Sequence, residues 1–144
     1  MDAILNDEQR PAAADLVALY AAVGWTGYAR DPDALERAVG GSSYVVTAHH
    51  EGALVGLARC VSDDVSITYL QDILVAPSHQ GQGLGKALVA RCLERYRHVR
   101  QKVLLTDDRP EQLAFYARLG FTNTRALQKT PLNAFVIIEG AALG

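Results

Sequence analysis

Apolar and polar positions change period along this chain, and the changes mark its elements. Leu16, Val17, Leu19, Tyr20 and Val23 recur at helical spacing after Pro11, and Gly24 ends the run. Asp31-Pro32 reads as a capped helix start, with Leu35 and Val39 on the apolar side and Gly40-Gly41 beyond. The pattern then becomes that of strands. Tyr44 to His49, Leu54 to Val61 and Ile67 to Val75 are separated by turn chemistry at Glu51-Gly52 and Asp63-Asp64, and Pro77 stops the last. Helical spacing returns with Leu88, Val89, Cys92, Leu93, Tyr96 and Val99 on one face and Lys86, Arg91, Glu94, Arg95 and Arg97 on the other. This predicts an amphipathic helix from Gly83 to about His98. Val103 to Thr106 reads as a short buried strand, and Glu111 to Leu119 as a helix capped by Gly120 with Phe115 and Phe121 as core. Phe135 to Glu139 reads as a closing strand, with Met1 to Asn6 as an opening one and Thr122 to Leu127 as a candidate extra one. The alternation predicts an α/β fold, a hairpin-rich sheet covered by helices.

Composition narrows the function classes. The 144 residues, 49% hydrophobic and 21% charged, suit one ordinary globular domain spanning 1–144. A formal net charge of -2 gives no basic excess for nucleic acid. The acidic opening MDAILNDEQR lacks the apolar stretch of a secretion signal, and no run is long enough to span a membrane, so a cytoplasmic protein is expected. Cys60 and Cys92 share no close spacing and read as buried free thiols, with no metal site expected. His49 and His50 read as exposed residues at a hairpin corner, and His79 as a turn residue.

The candidate chemistry lies where the best strand runs into a glycine loop and then a helix: Leu74 and Val75, then Gln80-Gly81-Gln82-Gly83-Leu84-Gly85-Lys86. Glycines let backbone approach a ligand, and the helix start leaves N–H groups unpaired in a positive field, which suits a pyrophosphate. Three phosphate loops compete. A nucleotide-triphosphate P-loop needs four residues between its first glycine and Gly-Lys, then Ser or Thr; here Gly81 and Gly85 bracket three, and Ala87 follows Lys86. The dinucleotide fingerprint G-x-G-x-x-G fails as well, because Gly81, Gly83 and Gly85 are spaced G-x-G-x-G on a strand midway through the chain.

The remaining pattern, Gln80-x-x-Gly83-x-Gly85, resembles the coenzyme A signature of the GNAT acetyltransferase superfamily. Phe115-Tyr116-Ala117-Arg118-Leu119-Gly120-Phe121 resembles the same family's aromatic-tyrosine block, and the element order agrees throughout. The resemblance implies a mixed, mostly antiparallel sheet of six to seven strands, splayed between its central strands and flanked by about four helices. It also implies an acetyl-CoA-dependent N-acetyltransferase in which the acceptor amine attacks the thioester directly. Coenzyme A would lie in the splay, its pantetheine arm on Ile73, Leu74 and Val75 and its pyrophosphate on the amides from Gln80 to Lys86. The Val75 amide would face the carbonyl oxygen, and Tyr116 would protonate the departing thiolate or, alternatively, only pack against the cofactor.

On the acceptor side, Asp72 is the one carboxylate of the central strand. It is expected as base or amine anchor, the alternative being a carboxylate that holds a neighbouring loop or helix. Gln71 and Asp72 face opposite ways unless a bulge intervenes. The family's first helices wall the acceptor pocket, which here offers Trp25 and Tyr28, joined by Tyr69 and Gln71 of the strand and by Asp63 and Asp64 nearby. Trp25 reads equally well as a core anchor. Aromatic faces beside carboxylates favour a small amine of arylalkylamine or polyamine type. The Gln80–Lys86 loop and Asp72 of the strand also resemble those of glucosamine-phosphate acetyltransferases, and that resemblance implies an amino-sugar acceptor as a further option. Protein lysine or N-terminal acetylation and a non-catalytic coenzyme A module remain alternatives. Where relatives carry Asn before the tyrosine, this chain has Arg109 and Gln112, which puts the contacts of that Asn in doubt. A homodimer paired through Phe135 to Ile138 is a further expectation.

Overall fold

The computed structural model describes residues 2–143, which divide into two compact units, 2–105 and 106–143. In the first unit the strands are β1 (Ile4–Asn6), β2 (Tyr44–His50), β3 (Ala53–Ser62), β4 (Ile67–Val75) and β5 (Gln101–Leu104). They form one sheet in sequential order. The first three pairings are antiparallel and β4–β5 is parallel. The helices are α1 (Ala13–Ala22), the single turn α2 (Thr26–Ala29), α3 (Pro32–Gly40) and α4 (Leu84–Arg95). Asp31 caps α3 by accepting from the Ala34 N–H at 3.1 Å. Trp25 caps the start of α2 and Tyr28 lies within it.

The helices cover both faces of the sheet. Leu16, Leu19 and Tyr20 of α1 and Leu35 and Val39 of α3 bury against Val45, Leu57 and Leu74. On the other face α4 lays Leu84 and Leu88 over Gly56, where an added Cβ would meet the Leu88 side chain at 3.1 Å. Tyr96 stands edge-on to Tyr44 at 6.1 Å. Cys60 and Cys92 are free and buried, as expected, on this same side. Their contact with each other and their burial push the Cys92 thiol far up.

Register decides which side chains share a face, because directly opposed residues point the same way. Arg59 opposes Asp72 and Cys60 opposes Leu70, so Gln71 is an extra residue, a β-bulge in β4. The bulge resets the alternation. Tyr69, opposite Val61, joins Asp72 and Leu74 on the α1–α3 face, whereas Leu70, Ile73 and Val75 lie on the α4 face. β5 pairs only with Ile67 to Leu70, so the sheet opens beside Gln71 to Val75. This is the splay expected from the family resemblance.

The second unit carries α5 (Pro110–Arg118) and a 3-10 turn at Thr124–Ala126. Neither expected C-terminal strand is present among the described residues, so the sheet has five strands, not six or seven. In 122–127 the Asn123 side chain accepts from the Arg125 N–H and turns the chain. Phe135 to Ile138 has no strand partner, and Phe135 and Ile137 are 94% and 88% exposed. Phe115 and Phe121, expected as core, are half-buried. No helix of the described residues is long and apolar enough to cross a membrane.

The fit of α4 over Gly56 generates a test. Gly56→Val drives two methyl groups into Leu84 and Leu88 and is expected to cost about 1–3 kcal/mol by overpacking, measured by urea unfolding.

Candidate functional site

The glycine loop is built from both of its ends. β4 delivers the chain at Val75, and a 3-10 turn, Pro77–His79, redirects it. The Ala76 N–H donates to Val55 O and the His79 N–H to Ala76 O, both at 2.8 Å. The Gln80 amide side chain folds back and donates to Val75 O at 2.9 Å. Gly81 and Gly83 hold φ of 77° and 82°, a conformation that side chains with a Cβ resist. Gly83 is also the N-cap of α4.

Ala87 makes the first helical bond, to Gly83 O at 3.1 Å. Among the described residues, the amides from Gly81 to Lys86 find no backbone acceptor. Nothing lies within 4 Å of where a Cβ would stand on Gly81 or Gly83, so the approach to these amides is open. Donors of this kind at the start of a 12-residue helix form a cradle for an anion with several oxygens. Gln80, Gly81, Gln82, Gly83, Leu84, Gly85 and Lys86 are therefore contiguous in one loop-and-helix start, with Lys86 exposed beside it. Ile73, Leu74 and Val75 lie on the strand that feeds it, beside the open stretch of the sheet.

The α1–α3 face carries a second cluster. Arg59 and Asp72, 7% and 3% exposed, form an ion pair with Nε 2.6 Å from Oδ2. The Tyr20 hydroxyl donates to the same Oδ2 at 2.9 Å. Arg59 also donates to Ser42 Oγ at 3.2 Å, and Ser42 Oγ donates to Ala38 O at 2.9 Å. Burial, then the Asp72 carboxylate, pushes the Tyr20 hydroxyl far up. Burial alone would lower Arg59, but the adjacent carboxylate more than offsets it, and the guanidinium is held above its ordinary range.

Above this network the rings of Tyr20, Trp25 and Tyr28 meet at centroid distances of 5.5 to 6.1 Å. Tyr69 belongs to the same neighbourhood. Its hydroxyl is pushed up by burial, then by the Asp72 carboxylate and by the Tyr28 phenol. Trp25 also packs against the apolar core, so it is anchored as well as half-exposed. Gln71 is exposed at the bulge.

The structure thus gathers Trp25, Tyr28 and Tyr69 and commits Asp72 to Arg59 and Tyr20. Through Tyr20 the carboxylate of Asp72 is bonded to α1, and through Arg59 to β3. Asp63 is likewise occupied. It accepts from the Ser66 side chain and from the amides of Val65, Ser66 and Ile67, and these donors hold its carboxyl far below the usual range. It closes the β3–β4 turn and is not part of the aromatic cluster. Tyr20, Arg59 and Ser42 were not singled out from the sequence. The signal available was Arg59 itself, a lone cation in an apolar strand, which must find a buried partner.

In the second unit, Tyr116 stands edge-on to Phe115 and Phe121 at 5.0 and 5.8 Å. Burial, with the Asp107 carboxylate second, pushes its hydroxyl up to about 12. Arg109 pairs with Asp107 at 2.8 Å and with Glu111 at 3.8 Å.

Known proteins resemble this chain in sequence and in fold. The family described as "Acetyltransferase (GNAT) family" matches residues 4–121. A Glycine max protein named histone acetyltransferase TAP1 is 36% identical over 121 residues, covering 74% of this chain and 50% of its own length. A phage enzyme, the 5-NmdU N-acetyltransferase of Pseudomonas phage PaMx11, is 37% identical over 81 residues, 55% of this chain and 57% of its own length. The chain spans half or less of the first curated relatives it matches. Among solved structures, a GNAT family acetyltransferase of Streptococcus pneumoniae aligns with a TM-score of 0.81 at 28% identity, over 96% of this chain and 99% of that one. An acetyl-CoA-bound GNAT enzyme of Elizabethkingia anophelis shares the fold, with a TM-score of 0.63 at 22% identity over 84% of this chain and 76% of that one.

The buried pair generates its own test. Asp72→Ala leaves the Arg59 charge uncompensated and is expected to cost about 3–5 kcal/mol in urea unfolding. Joining Asp72→Leu with Arg59→Met removes both charges and is expected to recover most of that loss.

Proposed function

The chain belongs to the GNAT acetyltransferase family, and from that premise we propose that it transfers the acetyl group of acetyl-CoA to a small primary amine of arylalkylamine, polyamine or amino-sugar type. One observation carries the donor half of this reading: the amides from Gly81 to Lys86, without acceptors and openly approached, at the start of α4. They fit the diphosphate of coenzyme A in charge, and main-chain donors hold it whatever the side chains are.

Acetyl-CoA supplies an activated acyl carbon that an amine attacks. The chain's own groups do the rest. The edge of Ile73, Leu74 and Val75, unpaired on the β5 side, offers backbone groups to an extended arm. The Val75 amide is the donor proposed for the carbonyl oxygen as its charge grows. Tyr116 is the proposed acid for the thiolate. An acid must keep its proton until it is needed, and a phenol raised to about 12 stays protonated below that value, hence through the whole working range.

The aromatic cluster carries the acceptor half. Tyr28 and Trp25 stand beside Tyr69, over a buried carboxylate that is fixed by Arg59 and Tyr20. Ring faces attract an ammonium group and accept an aryl group equally well. In this reading Asp72 braces the acceptor wall. A second reading, transfer to a protein lysine, is supported by the likeness to the soybean protein named as a histone acetyltransferase.

Release of free thiol from acetyl-CoA, measured across a panel of small amines and lysine peptides, separates these readings. Turnover with arylalkylamines, polyamines or amino sugars is expected. Turnover with peptides alone moves the assignment to the second reading, and none with any acceptor leaves a binding module. Gly83→Asp is expected to abolish coenzyme A binding in calorimetry, by adding charge and bulk at the cradle. Tyr116→Phe is expected to lower kcat about 10²-fold or more with little change in acetyl-CoA affinity, and an unchanged kcat removes Tyr116 from the acid role.

A further inference from the structure

The anion loop is also held from outside. His50 is the last residue of β2 and His79 the last residue of the turn before the loop. Their rings meet with His50 Nδ1 2.9 Å from His79 Nε2, across 29 positions of sequence. The ring centroids are 4.9 Å apart and the planes are inclined at 70°. On its other side His79 Nδ1 lies 2.8 Å from Ser78 Oγ. Both rings are half-buried, although their positions had read as a solvent-facing hairpin corner and a simple turn.

Two imidazole nitrogens at this distance share one proton, one ring donating its N–H and the other accepting through its lone pair. The Ser78 hydroxyl takes whichever role is left on His79. If His79 Nε2–H donates to His50, its Nδ1 accepts from Ser78; if His50 Nδ1–H donates, His79 Nδ1–H donates to Ser78. Both ring nitrogens of His79 are thus engaged in either tautomer, and the orientation of the ring is fixed. The next residue, Gln80, begins the loop.

That placement matters because the loop is loose by composition. Gly81 and Gly83 sit in the left-handed region and have no side chain to lock them. A ligand that must order such a loop loses affinity, and a contact made before binding removes that loss. The entry of the turn is tied to β3 by Ala76 N–H to Val55 O, but beyond Ala76 its main-chain bonds are local: His79 N–H to Ala76 O and Gln80 N–H to Pro77 O. Among the described residues, the imidazole pair is the side-chain hydrogen bond that joins the turn to a distant strand.

We propose that His50 and His79 are positioning residues of the coenzyme A cradle, and that the proton shared between them pre-orders the Gly81–Lys86 amides. The inference rests on the reading of that loop as the coenzyme A site. Its test is calorimetric titration of the full chain with coenzyme A at slightly alkaline pH. His50→Ala is expected to weaken binding about five- to tenfold, the worth of one hydrogen bond. His50→Gln, whose amide can donate or accept at the same place, is expected to restore binding to within about twofold of wild type. Wild-type affinity in His50→Ala overturns the inference, and so does a His50→Gln variant as weak as His50→Ala, because packing alone would then explain the loss. A wild-type chain that binds no coenzyme A overturns the reading of the loop, and the inference with it. Ring 15N spectra of the wild-type chain give a readout independent of the variants. Bonded, fixed tautomers for both histidines, shifting when coenzyme A is added, are expected. Freely averaging imidazole signals overturn the proposal.

Discussion

A guanidinium buried in an α/β sheet is tolerable only beside a carboxylate, and the Arg59–Asp72 pair organises the central part of this chain around that requirement. The pair spans β3 and β4. Through Tyr20 it reaches α1, and through Ser42 and Ala38 it reaches the end of α3. It also fixes register. Arg59 opposes Asp72 where the extra residue Gln71 must be accommodated, so the bulge falls next to the ion pair. The aromatic rings of Tyr20, Trp25 and Tyr28 are placed by the same network, because Tyr20 is a member of both. A polar contact that contributes little net stability can still set geometry, because the arrangements that break it leave a charge unpaired.

The opposite face of the sheet follows another logic, that of close approach. Gly56 lets Leu84 and Leu88 sit on the strand, which brings the start of α4 down to the level where β4 ends. Val75 pairs with Gly56, so the strand end and the helix start are tied to the same residue. The placement of the glycine loop and the start of α4 therefore depends on a side chain that is missing as much as on those present.

The sequence made some of this legible, for identifiable reasons. Ile67–Val75 was readable to the residue because Pro77 and the Asp63-Asp64 turn bound it. The loop was readable because its glycines act through backbone geometry, which spacing reports directly. Long-range side-chain partnerships were not readable. Nothing local links His50 to His79, or Tyr20 to Asp72 across 52 positions. The C-terminal strand failed for a different reason. Phe135 to Ile138 has strand-forming residues, but a strand exists only beside a neighbour, and composition does not show whether one is present.

The bulge at Gln71 has a consequence for how this chain can be compared and changed. Strand alternation counted from Val75 backwards assigns the wrong wall to every position before Gln71. Counted that way, Leu70 would line the aromatic side and Tyr69 the helix side, the reverse of their pairing partners. A strand without the extra residue would turn the positions before it to the opposite wall and present a different set of side chains there. Insertion or loss of one strand residue thus changes which side chains line that wall without altering a single loop.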